Sequence, residues 1–171
     1  KEQKIIKHTP KFAPAGQSTQ LVIGATPEND LQILGLANGL YQQQQLKRVY
    51  YSGYIPVSND NRLPALRQAP LIRENRLYQA DWLMRFYGFK FNEIVDVKYP
   101  DLDLELDPKM AYALRHPELF PIDINTAPYE LILRIPGVGV KSARKIIAAE
   151  TKKTPMWTNK AWGLRKSMFI I

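Results

Sequence analysis

The stretch Ile135-Pro136-Gly137-Val138-Gly139 determines the architecture of the last part of the chain. Proline ends the helix before it, and the glycines allow the backbone angles that a tight turn between antiparallel helices requires. Because they lack side chains, they also let phosphate oxygens approach the main chain. The stretch therefore predicts a helical hairpin whose turn can bind an anion.

Apolar residues at helical spacing precede this turn. Asn125 or Thr126 can cap the first helix. Its inward arc has four members, Tyr129, Leu131, Ile132 and Ile135. These residues predict an amphipathic helix that ends at Pro136.

The second helix is predicted to begin near Val140 and to bury Ala143, Ile146 and Ile147. Its free N–H groups, its dipole and the charge of Lys141 favour a phosphate, and such contacts read no sequence. The predicted nucleic-acid-binding residues are Gly137, Val138, Gly139, Lys141, Ser142, Arg144 and Lys145.

The net charge of +8 is distributed unevenly. Residues 1–94 carry +5, residues 95–124 carry −4, and residues 125–171 carry +7. The last value is typical of a polyanion-binding face, although a merely solvated basic surface is the alternative. We predict an α/β region over 1–94, an acidic linker with a short helix over 95–124, and the hairpin region over 125–171.

The first half predicts two parallel strands joined by a helix. Residues 20–25 form a branched apolar run expected to be buried on both faces, and residues 46–55 form the second strand. Thr26 is the expected N-cap of the helix between them, with Pro27 at its first position. Since two parallel strands do not make a stable sheet, and since the chain starts at Lys1, we expect a fragment of a larger α/β body.

A further helix is predicted from Leu71 to Tyr87, ended by Gly88. Its aromatic residues Tyr78, Trp82 and Phe86 are expected to pack in the core rather than to bind a ligand. A long loop over 56–70 precedes this helix.

Several chemistries are excluded or disfavoured. The chain has no cysteine, so it holds no disulfide, thiolate metal site or cysteine-ligated cluster. His8 and His116 lack metal-ligand spacing, and the alternating carboxylates of residues 101–107 favour a solvated edge over a metal site. We expect a cytoplasmic protein, because no apolar run suits a membrane span or a secretory signal.

Residues 124–149 resemble the helix-hairpin-helix family of non-sequence-specific DNA-binding elements, above all in Ile124-Asn125-Thr126-Ala127 and Ile135-Pro136-Gly137-Val138-Gly139. The rest resembles the carboxy-terminal part of radical S-adenosylmethionine proteins of DNA modification or repair, relatives of spore photoproduct lyase. That resemblance rests on residues 12–20, 22–28, 48–54 and 77–83. It implies the last strands and helices of a partial (β/α)6 barrel, followed by the all-α hairpin region.

The resemblance also implies a 4Fe-4S cluster and S-adenosylmethionine in the complete parent protein. The family's C-x-x-x-C-x-x-C loop is absent here, so the cluster would belong to a missing amino-terminal barrel part. Near the carboxyl ends of the predicted strands, the candidates to face cofactor or substrate are Gly24, Thr26, Tyr51, Ser52 and Tyr54. Each is equally compatible with a core or turn role, and the tyrosines could stack on bases.

Two hypotheses follow. The chain is the DNA-binding portion of a radical enzyme, or it is a non-catalytic nucleic-acid-binding module on an α/β platform. The residues do not decide between DNA and RNA, and a hairpin that serves only as a scaffold or protein contact remains the alternative to both.

Overall fold

The computed structural model describes residues 13–56, Pro64 and residues 70–151. The predictions for residues 1–12, for most of the 56–70 loop and for residues 152–171 lie outside this part. Within it the chain is a mixed α/β domain with a two-stranded parallel sheet and six α-helices. The elements are β1 (Ser18–Ile23), α1 (Asp30–Gln43), β2 (Arg48–Gly53), α2 (Leu71–Phe86), α3 (Phe91–Ile94), α4 (Pro108–Arg115), a 3-10 helix (Pro117–Leu119), α5 (Tyr129–Ile132) and α6 (Val140–Thr151).

The predicted strand–helix–strand unit is confirmed, with β1 and β2 parallel and Ser18 aligned with Arg48. The predicted start of α1 is wrong. Asn29 is the N-cap, because its side chain accepts from the N–H of Gln32 while the Gln32 side chain accepts from the N–H of Asn29. The hydroxyl of Thr26 instead donates to the carboxylate of Glu28.

The sheet is covered on one face only. Ile23, Val49 and Tyr51 are buried against residues of α1 and α2. On the other face Val22 is 49% exposed and Tyr50 is 42% exposed. The prediction that the first strand is buried on both faces is therefore wrong, since no described helix packs on the second face.

Side chains close the outer edge of β2. Three backbone N–H groups of this strand donate to side-chain oxygens of α1 and α2: Val49 to Tyr41, Tyr51 to Tyr78, and Gly53 to Glu74, over 2.6–3.0 Å. The Tyr78 hydroxyl also donates to the carbonyl of Tyr51, over 2.9 Å. In the described part of the chain β1 pairs with β2 alone, so only the outer edge of β1 can accept a further strand.

Asp30 is a buried carboxylate that joins α1 to two other segments. It is fully buried, and it accepts from Nε of Arg73 over 2.7 Å and from the N–H of Leu102 over 2.9 Å. Desolvation raises the pKa of Asp30 against the opposing effect of these bonds. The residue thus connects α1, α2 and the segment after α3.

Asp81 is the second buried carboxylate, 1% exposed in the middle of α2. It accepts from the hydroxyl of Tyr41 over 2.6 Å and from Nε of Arg85 over 2.8 Å. The hydroxyl of Tyr51 lies 3.5 Å away. Burial beside this carboxylate raises the pKa of Tyr51 and raises the pKa of Tyr41 to about 12.

The acidic segment contributes to the core. Val95, Leu102 and Tyr112 are buried in the same cluster as the sheet. The four carboxylates of residues 101–107 are exposed, as predicted, but their backbone is irregular rather than extended. Asp107 caps α4 by accepting from two backbone N–H groups. The segment is therefore packed structure with an acidic surface.

Candidate nucleic-acid interface

The turn lies between α5 and α6, which share a second apolar core. α5 is shorter than predicted, and its path continues to Ile135 as tight turns, with Arg134 N–H bonded to the Leu131 carbonyl and Ile135 N–H to the Ile132 carbonyl. The predicted inward arc is confirmed: Ile132 and Ile135 are fully buried, and Tyr129 and Leu131 are partly buried against the same core. This core also contains Ile122, Ile124, Leu133 and Ala143.

The predicted cap of the first helix is wrong. Neither Asn125 nor Thr126 caps α5, which follows Pro128 without a side-chain cap. Both residues are instead bonded to Asp123, whose carboxylate accepts from Asn125 N–H over 3.0 Å and from the Thr126 hydroxyl over 3.2 Å. These bonds, the one from Asn125 N–H foremost, lower the pKa of Asp123. An Asx turn therefore begins the hairpin.

Gly137 carries the unusual backbone angle of the turn. It is exposed and has φ +79°, a conformation that is costly for residues with a Cβ. No atom lies within 4 Å of where its Cβ would be, so the requirement for glycine is conformational. At Gly139 a Cβ would lie 3.6 Å from the hydroxyl of Tyr87, the residue that follows α2, which is an ordinary van der Waals contact.

The start of α6 presents free backbone donors. Gly139 occupies the N-cap position, since its carbonyl accepts from Ala143 N–H over 2.9 Å. The N–H groups of Gly139, Val140, Lys141 and Ser142 have no hydrogen-bond partner in the part of the chain that the structure describes. Such a run of donors at the positive end of a helix dipole is suited to a phosphate or another anion.

The predicted cations lie on α6, close in sequence to these donors. Lys141, Arg144 and Lys145 are exposed on α6, as is Ser142. Val138 is half-buried and joins the second core. The structure therefore brings the seven predicted residues onto the turn and the first two turns of α6.

Lys109 supports the turn from α4, and sequence reasoning missed it. Its Nζ donates to the carbonyl of Val138 over 2.6 Å and lies 4.9 Å from the ring centre of Tyr87. Burial lowers the pKa of Lys109 to about 8, although the nearby Asp107 opposes this shift. A lysine in the first turn of a helix is unfavourable to the helix dipole. This unusual position is the feature of the sequence that could have pointed to Lys109.

A groove of about 780 Å³ separates the turn from α2. Its walls include Gly137, Gly139, Lys109 and Trp82. Three polar groups of α2, Asn75, Arg76 and Gln79, line it as well. The turn therefore opens onto a cleft with both aromatic and polar surface.

Trp82 and Phe86 do not lie in the core. Trp82 is 52% exposed, Phe86 is 48% exposed, and their ring centres are 4.4 Å apart. The predicted core role is wrong for both, because position 82 lies about 140° around the helix from the buried Leu77. For Tyr78 it is confirmed, since its ring packs edge-on against Tyr51, with ring centres 5.2 Å apart.

The five strand-end candidates are spread over different surroundings. Tyr51 is 2% exposed and faces Asp81, which favours its core role. Ser52 lies on the opposite face of the strand and accepts from the side-chain amide of Gln20 over 2.7 Å. Tyr51 is therefore buried and Ser52 lies on the other face of the strand, although the sequence places both in one group of candidates.

The remaining three lie in the turns after the strands. Gly24 has φ +87°, and Thr26 is exposed. The hydroxyl of Tyr54 is buried without a hydrogen-bond partner in the described part of the chain. A cofactor or substrate role for these residues stays a prediction.

The described residues contain no group of three histidine, aspartate or glutamate side chains placed to hold a metal ion. None of the described helices has the length and apolar character needed to cross a membrane. Comparisons with protein-family models, curated proteins and solved structures found no match to this chain.

Proposed function

We propose that this chain binds the sugar-phosphate backbone of DNA, without sequence preference, through a helix-hairpin-helix formed by α5, the turn and α6. The observation that carries the proposal is the run of four unbonded N–H groups from Gly139 to Ser142. Backbone donors at a helix start recognise phosphate oxygens, which every nucleotide presents.

The charge of the region supports the same ligand. Lys141, Arg144 and Lys145 are exposed beside the free donors, within a segment of net charge +7. Each cation that neutralises a phosphate releases a condensed counterion, so binding should weaken as the salt concentration rises. A hairpin that served only as a scaffold would leave these donors and charges without a ligand.

The wider role that we propose is that of the DNA-binding portion of a radical S-adenosylmethionine enzyme of DNA modification or repair. Among the described residues one face of the sheet is uncovered and the outer edge of β1 is unpaired, which supports an origin in a larger α/β body, such as a partial barrel. This chain lacks the cysteines that a 4Fe-4S cluster needs, so it does not fit the cluster, and we derive no step of that chemistry for its residues.

A non-catalytic module is the second candidate. The closed edge of β2 is the observation that favours it, because evolution protects such edges in sheets that face water. The two candidates share the hairpin and differ in whether the exposed Val22 and Tyr50 need a covering partner. Hydrogen exchange along β1, with and without added amino-terminal barrel sequence, distinguishes them.

Charge reversal at Lys141 tests the hairpin. Lys141→Glu should weaken the binding of a labelled duplex roughly tenfold. It should also make the negative slope of log K against log salt less steep, by about one. Fluorescence anisotropy on unrelated duplexes measures both quantities. Lys98→Glu, an equal charge change at an exposed site outside the groove, is the matched control.

Gly139→Val supplies an independent test without a change of charge, since its Cβ would lie 3.6 Å from the hydroxyl of Tyr87 and its two methyl groups would crowd this side of the turn. Unchanged binding in both Lys141→Glu and Gly139→Val would remove the hairpin from the proposed function.

The pH should also alter binding through Lys109. A phosphate near the turn favours the ammonium form, so binding raises a pKa that lies near 8 in the free protein. Affinity should therefore be greatest below about pH 8 and should fall as the pH rises through that value. Asp107, the ring of Tyr87 and the Val138 carbonyl face the same ammonium.

Anisotropy at constant salt across this range, on the chain and on Lys109→Met, measures the effect. The pH dependence should disappear in the variant. An equal pH dependence in both proteins would show that another group is responsible.

A further inference from the structure

We propose that the groove between the turn and α2 receives an unpaired nucleobase, stacked on Trp82, from a single strand whose phosphate is bound at the turn. This inference rests on the proposed function, and it specifies the nucleic acid as single-stranded or locally unpaired.

Trp82 is the first element of the argument. Half of its surface is exposed, and it lies in the wall of the same groove as Gly137 and Gly139. Phe86 packs against it, with ring centres 4.4 Å apart, and supports the indole from one side. An exposed indole with a supporting ring is a stacking platform, and every base has a face that can stack on it.

Polar groups on the adjoining wall can contact the edge of such a base. Asn75 and Gln79 are exposed and lie one helical turn apart on the face of α2 that lines the groove. The amide oxygen of Gln79 accepts from Arg76 over 2.9 Å. The amide NH2 group of Gln79 points away from that bond and can act as a donor. Side-chain amides offer both donors and acceptors to base edges.

Arg76 fixes this wall in place. Its guanidinium donates to the carbonyls of Leu104 and Glu105, over 3.1 and 2.9 Å. Its Nε is buried without a hydrogen-bond partner in the described part of the chain, so a ligand in the groove does not reach that atom. The groove therefore has a wall that hydrogen bonds hold in place.

The cleft is large enough for an unpaired nucleotide. Its volume of about 780 Å³ is that of a small-molecule site. In a duplex each base is already stacked and paired, and it would have to leave the helix to reach Trp82. A single strand reaches both the turn and the indole without that cost.

The test combines changes in the protein with changes in the oligonucleotide. A labelled oligothymidylate and a strand of the same length that lacks every base are bound to the chain and to Trp82→Ala. In the wild-type chain the loss of the bases should weaken binding about tenfold, and Trp82→Ala should weaken binding of the intact strand by a similar factor. The loss of the bases should then have no further effect in the variant.

Tyr50→Ala, at an exposed aromatic residue outside the groove, is the matched control and should behave as the wild type. Binding that is equal for the intact strand and the strand without bases, or equal in Trp82→Ala and wild type, would overturn the inference. These results are expected if the groove and Trp82 bind a partner protein instead of a base.

The salt slope separates this failure from failure of the proposed function. If Lys141→Glu still makes the salt dependence less steep while Trp82→Ala leaves binding unchanged, the hairpin binds phosphates and only the proposed base site is wrong. If neither variant changes binding, both proposals fail.

Discussion

Replacing Asp81 with alanine is expected to lower the free energy of unfolding by about 3–5 kcal/mol. The carboxylate is 1% exposed and pairs with Arg85, whose side chain is only 20% exposed. Its removal would leave the guanidinium uncompensated and the hydroxyl of Tyr41 without its acceptor. Urea denaturation followed by circular dichroism measures this loss.

The double variant Asp81→Leu, Arg85→Met is the informative control. It removes both charges at once and should be less destabilised than Asp81→Ala, because a lone buried charge costs more than an apolar pair. Glu105→Ala removes an exposed carboxylate for comparison. A loss below about 1 kcal/mol for Asp81→Ala would show that the ion pair is largely solvated.

Tyr78→Phe is expected to lower the free energy of unfolding by about 2–4 kcal/mol, the second largest effect. One hydroxyl satisfies both the N–H and the carbonyl of Tyr51 in the closed edge of β2. Phenylalanine keeps the edge-on ring contact but leaves two backbone groups unpaired.

The same variant should also increase self-association, because the unpaired groups become available to another strand. Denaturation and sedimentation velocity together test the two expectations. Tyr50→Phe removes a hydroxyl from the exposed face of the same strand and should change neither. A stable, monomeric Tyr78→Phe would mean that water replaces the hydroxyl at this edge.

Local patterns predicted a large part of the fold. The branched run around Ile23 and the helical spacing of Leu77 and Ala80 indicate elements whose type depends on near neighbours in sequence. The stop at Gly88, which has φ +71°, was predictable because few other residues adopt that angle. The turn at Gly137 follows the same reasoning.

Partners distant in sequence explain what the patterns missed. Asp30 resembles a first-turn residue that favours the helix dipole, yet its role depends on Arg73 and Leu102. The start of α1 is also held by the carboxylate of Asp101, which accepts from the N–H of Asp30 over 3.1 Å. No local periodicity contains this information, since it depends on how the elements pack.

The candidate site shows the same division. Lys141 and the glycines could be predicted because a turn and a helix start are local features. Lys109 and Trp82 could not be predicted as site residues, because they belong to the site only through their position next to the turn in the folded chain. The surface position of Trp82 was readable from the helical wheel, but its neighbour across the groove was not.

The one-sided closure of the sheet has a consequence for how copies of this chain can associate. In polymer terms the described sheet is a monomer with one reactive end. The outer edge of β2 is closed by side chains, and only the outer edge of β1 can form hydrogen bonds with another strand. Two copies that met at β1 would consume both reactive ends, and growth would stop at a pair related by a two-fold axis. Edge-to-edge contact through this sheet therefore terminates by geometry and cannot continue into a fibril.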